Sequence, residues 1–217
     1  NAGLRRDRLD VTRTFFEMGG AIIDSSPMYG SSQDVLGYAL SNLSYPDAMF
    51  AADKVWIRDR ESGPEQNCTK PPPLGRLRYV GVTSYAGLRY DQIETIMNAH
   101  PIDFIQITYN LADREAESRL LPLAQERGIA VLANRPFRES QLINAAMRQP
   151  LPDMAAEIGA RNWAQFLLKF IISHPAITAA IPATRRVDHM RENMGALTGP
   201  LPDAEFRRRM AAVAETI

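Results

Sequence analysis

The chain has very little cysteine, and Cys68 is the only one among its 217 residues. A single thiol cannot form an intrachain disulfide, and a free thiol fits a reducing compartment. The N-terminus also lacks the apolar segment of a signal peptide, so we expect a cytoplasmic protein. The absence of an initiator Met indicates processing, or a chain that begins part-way through a gene product.

Long apolar runs and an excess of charge are missing as well. No run approaches the roughly 18 residues that a membrane-spanning helix needs. The 25 basic residues are balanced by 25 acidic ones, which argues against nucleic-acid or anionic-membrane partners. We also expect no metal site. The apolar fraction of 45% is enough for the core of a single domain over residues 1–217.

Short apolar segments alternate with helix-like sequence along the chain. Six of these segments predict strands: 21–23, 49–52, 79–82, 104–109, 129–133 and 178–181. Helices are predicted over 4–18, 33–42, 91–99, 115–127, 163–173, 187–197 and 203–217, with one or two more in 139–158. The stretch of about 58–73 has no periodicity and predicts a loop or disorder.

This alternation predicts a parallel sheet covered by helices. A doubly wound sheet normally has a glycine-rich turn after its first strand, and the chain has none. A closed barrel needs eight strands, whereas the sequence predicts six. We therefore predict an α/β fold of the (β/α)8 TIM barrel type that is incomplete in these residues.

Polar residues follow every predicted strand, and loops are polar in any protein. In a barrel, however, the strand exits share the face that holds the active site. Asp24 and Tyr29 follow the first strand, and Lys54 follows the second. A phenol with a pKa of about 10 is a poor acid at neutral pH, but a nearby ammonium favours the phenolate and makes a phenol a better general acid. We predict that Asp24 holds the Lys54 ammonium and that Lys54 activates Tyr29.

Five stretches follow one another in a familiar order: Gly20–Gly30, Ala52–Trp56, Tyr79–Ser84, Phe104–Asn110, and Ile181–Thr184 with Glu192–Asn193. Together they resemble the aldo-keto reductase family over nearly the whole chain. The resemblance implies a (β/α)8 barrel that reduces carbonyl compounds with NADPH. It implies that Tyr29 donates the proton to the substrate. It also implies that Lys54 tunes the acidity of Tyr29 and that Asp24 is the partner of Lys54.

The resemblance also implies a set of cofactor contacts. Thr83, Ser84 and Gln106 would hold the nicotinamide amide, and Thr184 and Arg185 would lie near the adenosine 2′-phosphate. Around the adenine would be His189, Glu192 and Asn193. Because a guanidinium offers a planar, bidentate fork to phosphate, the pair Arg185–Arg186 favours NADP over NAD.

The chain departs from the family pattern in three places. The family's catalytic His, at the end of its fourth strand, has no counterpart, and the passage from Lys54 to Tyr79 is short by roughly 30 residues, about one strand–helix unit. The first strand is also absent. We expect either a longer polypeptide, with a break near Gln66–Asn67, or a true deletion. Asn134 replaces the aromatic that stacks on the nicotinamide, so Arg135 or Phe137 would make that contact.

Other residues receive plainer interpretations. Arg207–Arg209 predicts a solvated helix face, Met147 and Met154 predict core positions, and His100 and His174 predict helix C-terminal caps. Trp56 is either core or the wall of a substrate pocket.

The leading functional hypothesis is an NADP(H)-dependent reductase of an aldehyde or ketone, slow if the His-bearing segment is truly missing. The alternatives are a non-catalytic cofactor-binding or regulatory member of the family, and a structural remnant that binds nothing.

Overall fold

A computed structural model describes residues 2–54, 78–87 and 89–217. The strands are β1 (Ile22–Asp24), β2 (Phe50–Ala52), β3 (Gly81–Thr83), β4 (Phe104–Thr108), β5 (Ala130–Asn134) and β6 (Ala179–Ala180). The α-helices are α1 (Ala2–Glu17), α2 (Ser32–Asn42), α3 (Tyr90–Ala99), α4 (Leu120–Arg127), α5 (Gln141–Ala146), α6 (Trp163–Ile172), α7 (Val187–Met194) and α8 (Ala204–Val213). Four 3₁₀ helices cover Glu115–Ser118, Asp153–Ile158, Gly195–Leu197 and Ala214–Thr216. Trp56 and the irregular stretch predicted at 58–73 lie outside the described residues.

All strand pairs in the described residues are parallel, as the alternation with helices predicts. One sheet pairs β1 with β2, and the other has the order β3-β4-β5-β6. The register places Asp24 opposite Ala52, and Thr83 opposite Gln106. These registers align the C-terminal ends of neighbouring strands, where the predicted site residues begin.

The chain divides into two compact units. Unit 1 consists of Asn1–Arg78 and Thr184–Arg191, and unit 2 of Tyr79–Ala183 and Glu192–Ile217. A single domain over 1–217 stays a prediction. Unit 1 has few buried apolar side chains in its described part, among them Val11, Ala39 and Ala52.

Unit 2 contains a large apolar core. Helix α6 lies at its centre, because its residues from Trp163 to Ile171 are all buried. The strands β4 and β5 supply Ile105, Ile107 and Val131, all of which are 0% exposed. Strands buried in this way read as continuous apolar runs, which is why the sequence pattern located them.

Several details of the sequence prediction are wrong. The predicted helix 115–127 is broken at Arg119, with a 3₁₀ helix before it and α4 after it. Met147 is 67% exposed and not a core residue. Arg207 does not lie on a solvated face, because it is only 8% exposed. His100 does cap a helix: it follows α3, and its backbone N–H donates to the Ile96 carbonyl.

Candidate active site

The ends of β1 and β2 place a carboxylate beside an ammonium in unit 1. Asp24 is the last residue of β1 and pairs with Ala52, two residues before Lys54. The Ser25 N–H donates to the Ala52 carbonyl at 2.9 Å, which extends the pairing one residue beyond β1. Lys54 Nζ lies 2.5 Å from Asp24 Oδ1 and also contacts Oδ2. A third contact, to the Ser25 carbonyl at 3.2 Å, fixes the ammonium in one position.

This ion pair is largely shielded from solvent. The side chains of Lys54 and Asp24 are 15% and 10% exposed. Attraction between charges is screened less strongly in such a place than at an open surface. The predicted contact between Asp24 and Lys54 is therefore present, at a place where solvent screens it only weakly.

Tyr29 lies on the turn that follows β1. The Tyr29 N–H donates to the Ser26 carbonyl at 3.0 Å, and its own carbonyl accepts from the Ser32 N–H at 3.1 Å, where α2 begins. Gly30 supplies the positive φ of +59° that this turn requires. Lys54 Nζ lies 5.1 Å from the centroid of the Tyr29 ring, within the range of a cation–π contact. Because Tyr29 is 52% exposed, a small molecule can reach it.

Asp53 supports this arrangement, although the sequence analysis assigned it no role. Its carboxylate accepts from the Lys54 N–H at 2.8 Å and from Gln33 Nε2 at 2.7 Å. These bonds fasten the end of β2 to helix α2. The signal available in the sequence was the polar pair Asp53-Lys54 directly after a short apolar run.

A second feature of unit 1 is a pocket of about 440 Å³, lined by Asp7, Asp10, Arg185, Arg186, Val187, Asp188 and Arg191. Arg8 Nη1 donates to the Arg185 carbonyl at 3.2 Å and so holds the 184–191 segment against α1. Arg186 donates to both carboxylate oxygens of Asp188. This bidentate contact is the main reason why the pKa of Asp188 lies far below its usual value of 3.8. Of the lining residues, the sequence predicts a role for Arg185 and Arg186, as a pair suited to binding a phosphate.

The ends of β3, β4 and β5 carry a chain of hydrogen bonds in unit 2. Thr83 Oγ1 donates to Gln106 Oε1 at 2.9 Å, and Asn134 Nδ2 donates to the Ser84 carbonyl at 2.8 Å. Thr108 Oγ1 donates to Asn134 Oδ1 at 2.8 Å and completes the chain. The sequence predicts four of these residues as cofactor contacts. It does not predict Thr108, which is 1% exposed.

The turn after β5 holds Arg135 in an unusual conformation. Arg135 has a φ of +51°, in the left-handed region that side chains rarely adopt. Its carbonyl accepts from Asn110 Nδ2 at 3.0 Å, and its guanidinium lies 3.6 Å from the Glu139 carboxylate. Arg135 Nε is nevertheless buried without a hydrogen-bond partner. Phe137 is half-buried and packs against the core of unit 2.

Gln165 of α6 holds the end of α7, although the sequence predicts no role for this residue. Asn193 is 6% exposed, whereas Glu192 is exposed. The Glu192 carbonyl accepts from Gln165 Nε2 of α6 at 3.2 Å. Helix α6 therefore positions the backbone at Glu192, one of the predicted adenine contacts.

Comparison with known proteins identifies the family. Residues 69–214, more than half of the chain, match the family model described as "Aldo/keto reductase family". The chain belongs to the aldo/keto reductase family. A curated relative, the methylglyoxal reductase YeaE of Escherichia coli, is 24% identical over 242 residues, which span 95% of this chain and 84% of that protein.

Solved aldo/keto reductases share the fold. A crystal structure from Klebsiella pneumoniae, in complex with NADP and acetate, matches with a TM-score of 0.76 at 22% identity and covers 99% of this chain and 87% of that one. An aldo-keto reductase from Bacillus halodurans matches with a TM-score of 0.69 at 18% identity, covering 98% and 87%. The predicted fold class, an α/β barrel of parallel strands, is confirmed.

For this aldo/keto reductase, the predicted site residues divide between the two units. Unit 1 holds Asp24, Tyr29 and Lys54, which lie together, and also Thr184, Arg185 and His189. Unit 2 holds Thr83, Ser84, Gln106, Asn134, Arg135, Phe137, Glu192 and Asn193. Within the described residues, no group of His, Cys, Asp and Glu side chains could hold a metal ion. The same residues contain no helix of the length and apolar character needed to cross a membrane.

Proposed function

We propose that this chain is an NADPH-dependent reductase of an aldehyde or ketone, with Tyr29 as the proton donor. The observation that carries the proposal is the contact of one ammonium with both a carboxylate and a tyrosine ring at the ends of β1 and β2. Lys54 Nζ lies 2.5 Å from Asp24 Oδ1 and 5.1 Å from the centroid of Tyr29. Membership of the aldo/keto reductase family supports the same reaction class.

Each of the three residues has a distinct task in this proposal. Tyr29 gives the proton of its hydroxyl to the carbonyl oxygen of the substrate as negative charge develops there. Lys54 stabilises the phenolate that remains, because an ammonium beside a phenol favours its charged form. Asp24 holds the Lys54 ammonium in position. Bound NADPH supplies the hydride that reaches the carbonyl carbon.

The cofactor contacts follow from the family assignment. Thr83, Ser84 and Gln106 would bind the nicotinamide amide. Asn134 would stand in the place of the stacking aromatic, and Arg135 or Phe137 would contact the ring. Thr184 and Arg185 would bind the 2′-phosphate, and His189, Glu192 and Asn193 the adenine. The pocket at 184–191 offers three guanidinium groups beside three carboxylates, and its volume of about 440 Å³ lies within the roughly 300–1,000 Å³ of small-molecule sites.

A second candidate function is cofactor binding without turnover. It is favoured by the absence of the family's His, since His100, His174 and His189 all lie outside the corresponding motif. Without that donor the substrate carbonyl is oriented less well, so the rate is expected to be low in either case.

Two measurements on the same purified protein separate these candidates. Titration with NADPH, followed by fluorescence, reports binding, and the loss of NADPH absorbance with methylglyoxal or an aromatic aldehyde reports turnover. Binding with turnover is expected. Binding without turnover would favour the second candidate. A melting temperature unchanged by saturating NADPH would contradict both, because a ligand at 100 times its Kd stabilises the native state by about 2.7 kcal/mol.

A further inference from the structure

The side chain of Asp53 links two parts of the candidate site in unit 1. Tyr29 lies on the turn after β1, whereas Lys54 follows β2, so the two residues come from different strand ends. The two carboxylate oxygens of Asp53 accept from different elements. Oδ1 accepts the Lys54 N–H at 2.8 Å, and Oδ2 accepts from Gln33 Nε2 of α2 at 2.7 Å. The carboxylate therefore fixes the end of β2 against the start of α2.

The start of α2 is in turn attached to the turn that carries Tyr29. The Tyr29 carbonyl accepts from the Ser32 N–H at 3.1 Å, and Gln33 is the next residue of the helix. On the other side, Lys54 Nζ lies 2.5 Å from Asp24 Oδ1 at the end of β1. Hydrogen bonds and main chain thus form a closed ring, which runs from Tyr29 through α2 to Lys54 and back to β1.

This link should matter more for the reaction than for the stability of the fold. Asp53 and Gln33 are both exposed, and polar contacts at the surface contribute little to stability. A displacement of about 1 Å in an active site, however, can lower a rate by about 100-fold. Lys54 Nζ lies 5.1 Å from the centroid of the Tyr29 ring, so a shift of the end of β2 relative to α2 changes that distance.

We propose that Asp53 and Gln33 are positioning residues that set the place of the Lys54 ammonium relative to Tyr29. Both act through the main chain of Lys54 and the first turn of α2 rather than through contact with the substrate. This inference rests on the proposed function, because it takes Tyr29 as the proton donor. It adds two residues to the three on which the proposed function depends.

The test exchanges the charged and neutral ends of the contact. Gln33→Glu places two carboxylates against each other, and their repulsion should separate α2 from the end of β2. Its kcat for methylglyoxal or an aromatic aldehyde, measured as NADPH oxidation, should fall about tenfold. Gln33→Glu combined with Asp53→Asn restores a carboxylate–carboxamide pair in the reverse order, and the new amide oxygen still accepts the Lys54 N–H. The kcat of this double variant should return to within about threefold of the wild type.

Three further readouts separate positioning from a loss of fold or of cofactor binding. In every variant the NADPH affinity, followed by fluorescence, and the KM for the aldehyde should stay within about twofold of the wild type. The melting temperature should stay within about 3 °C. Asp34→Ala is the matched control, because it removes an exposed carboxylate next to Gln33 in the same turn of α2, and it should leave kcat unchanged.

Three outcomes overturn the inference while the proposed function stands. Full kcat in Gln33→Glu, beside an active wild type, would show that the contact does not position Lys54. A double variant as slow as Gln33→Glu would show that the loss comes from the new side chain and not from the broken contact. A fall in kcat that is matched by a loss of NADPH affinity or of melting temperature would show a structural role instead. A wild type without turnover overturns the proposed function, and this inference with it.

Discussion

A single buried guanidinium joins three elements of unit 2. Arg207 of α8 donates to the Tyr109 hydroxyl, to the Phe170 carbonyl and, at 3.1 Å, to Ser173 Oγ. It also lies 3.2 Å from the Glu117 carboxylate. Burial raises the pKa of Tyr109, so its hydroxyl remains protonated and donates to Glu117. Arg207 therefore links the end of β4, the end of α6 and the 3₁₀ helix before α4.

Replacement of this arginine tests its structural role. Arg207→Met should lower the free energy of unfolding by about 3–5 kcal/mol, because the Tyr109 hydroxyl and the Phe170 carbonyl lose a buried charged donor and Glu117 loses its ion-pair partner. The neighbouring exposed residue offers a matched control: Arg208→Met should change stability by no more than about 0.5 kcal/mol. Chemical denaturation measures both. Equal effects of the two substitutions would show that Arg207 is an ordinary surface residue.

The sequence could not distinguish Arg207 from Arg208 and Arg209. The three are adjacent and chemically identical, and the partner that matters, Tyr109, lies 98 residues away. Asp24 and Lys54 were easier to identify, because each stands at the end of a predicted strand and neighbouring strand ends lie side by side. Asp7 and Asp10 carried no such signal, since only the packing of α1 on the distant 184–191 segment brings them to the pocket.

At the scale of elements, α6 illustrates a different limit. Its apolar sequence predicted a core helix correctly, but two polar residues are buried within it. Gln165 binds the Glu192 carbonyl, and Lys169, which is 0% exposed, donates to the Thr198 and Pro200 carbonyls at 2.7 and 3.0 Å. The spacing of apolar residues shows which face of a helix is buried. It does not show which backbone carbonyls accept hydrogen bonds from polar side chains on that face. The break at Arg119 could not be predicted either, because no glycine or proline marks that position.

The buried ammonium of α6 gives a prediction with a defined pH dependence. Lys169→Met should cost about 1–3 kcal/mol of stability, because the Thr198 and Pro200 carbonyls lose the donor that binds them both. The exposed Arg161→Met, just before the same helix, should change stability by no more than about 0.5 kcal/mol. Both effects are measured by denaturation.

The pH dependence has a definite sign. Burial lowers the pKa of Lys169 below its usual 10.5, so the unfolded chain binds more protons than the folded chain just below that pH. The wild type should therefore gain stability relative to Lys169→Met as the pH rises toward 10.5, the usual pKa of a lysine. The neutral amine still has two N–H donors for the two carbonyls. A difference between the two proteins that stays constant with pH would contradict the buried charge.

At the scale of the whole molecule, the order of elements was predictable from the sequence. All six predicted strands overlap observed ones, because each appears in the sequence as a short, mainly apolar run between polar segments. The predicted and observed strand ends differ by one or two residues, and the observed β6 covers only Ala179–Ala180. The pairing partners, the division into two units and the pocket at 184–191 all depend on contacts between distant parts of the chain. No local pattern carries that information.

The central claim is that Tyr29 acts as the proton donor beside an ammonium held by Asp24. The most direct measurement is the rate of NADPH oxidation with methylglyoxal or an aromatic aldehyde in Tyr29→Phe. Tyr45→Phe is a matched control, because Tyr45 is a similarly exposed tyrosine of unit 1. Loss of a general acid should lower the Tyr29→Phe rate about 100-fold or more, with NADPH affinity unchanged and full activity in the control. Full activity in Tyr29→Phe would contradict the account.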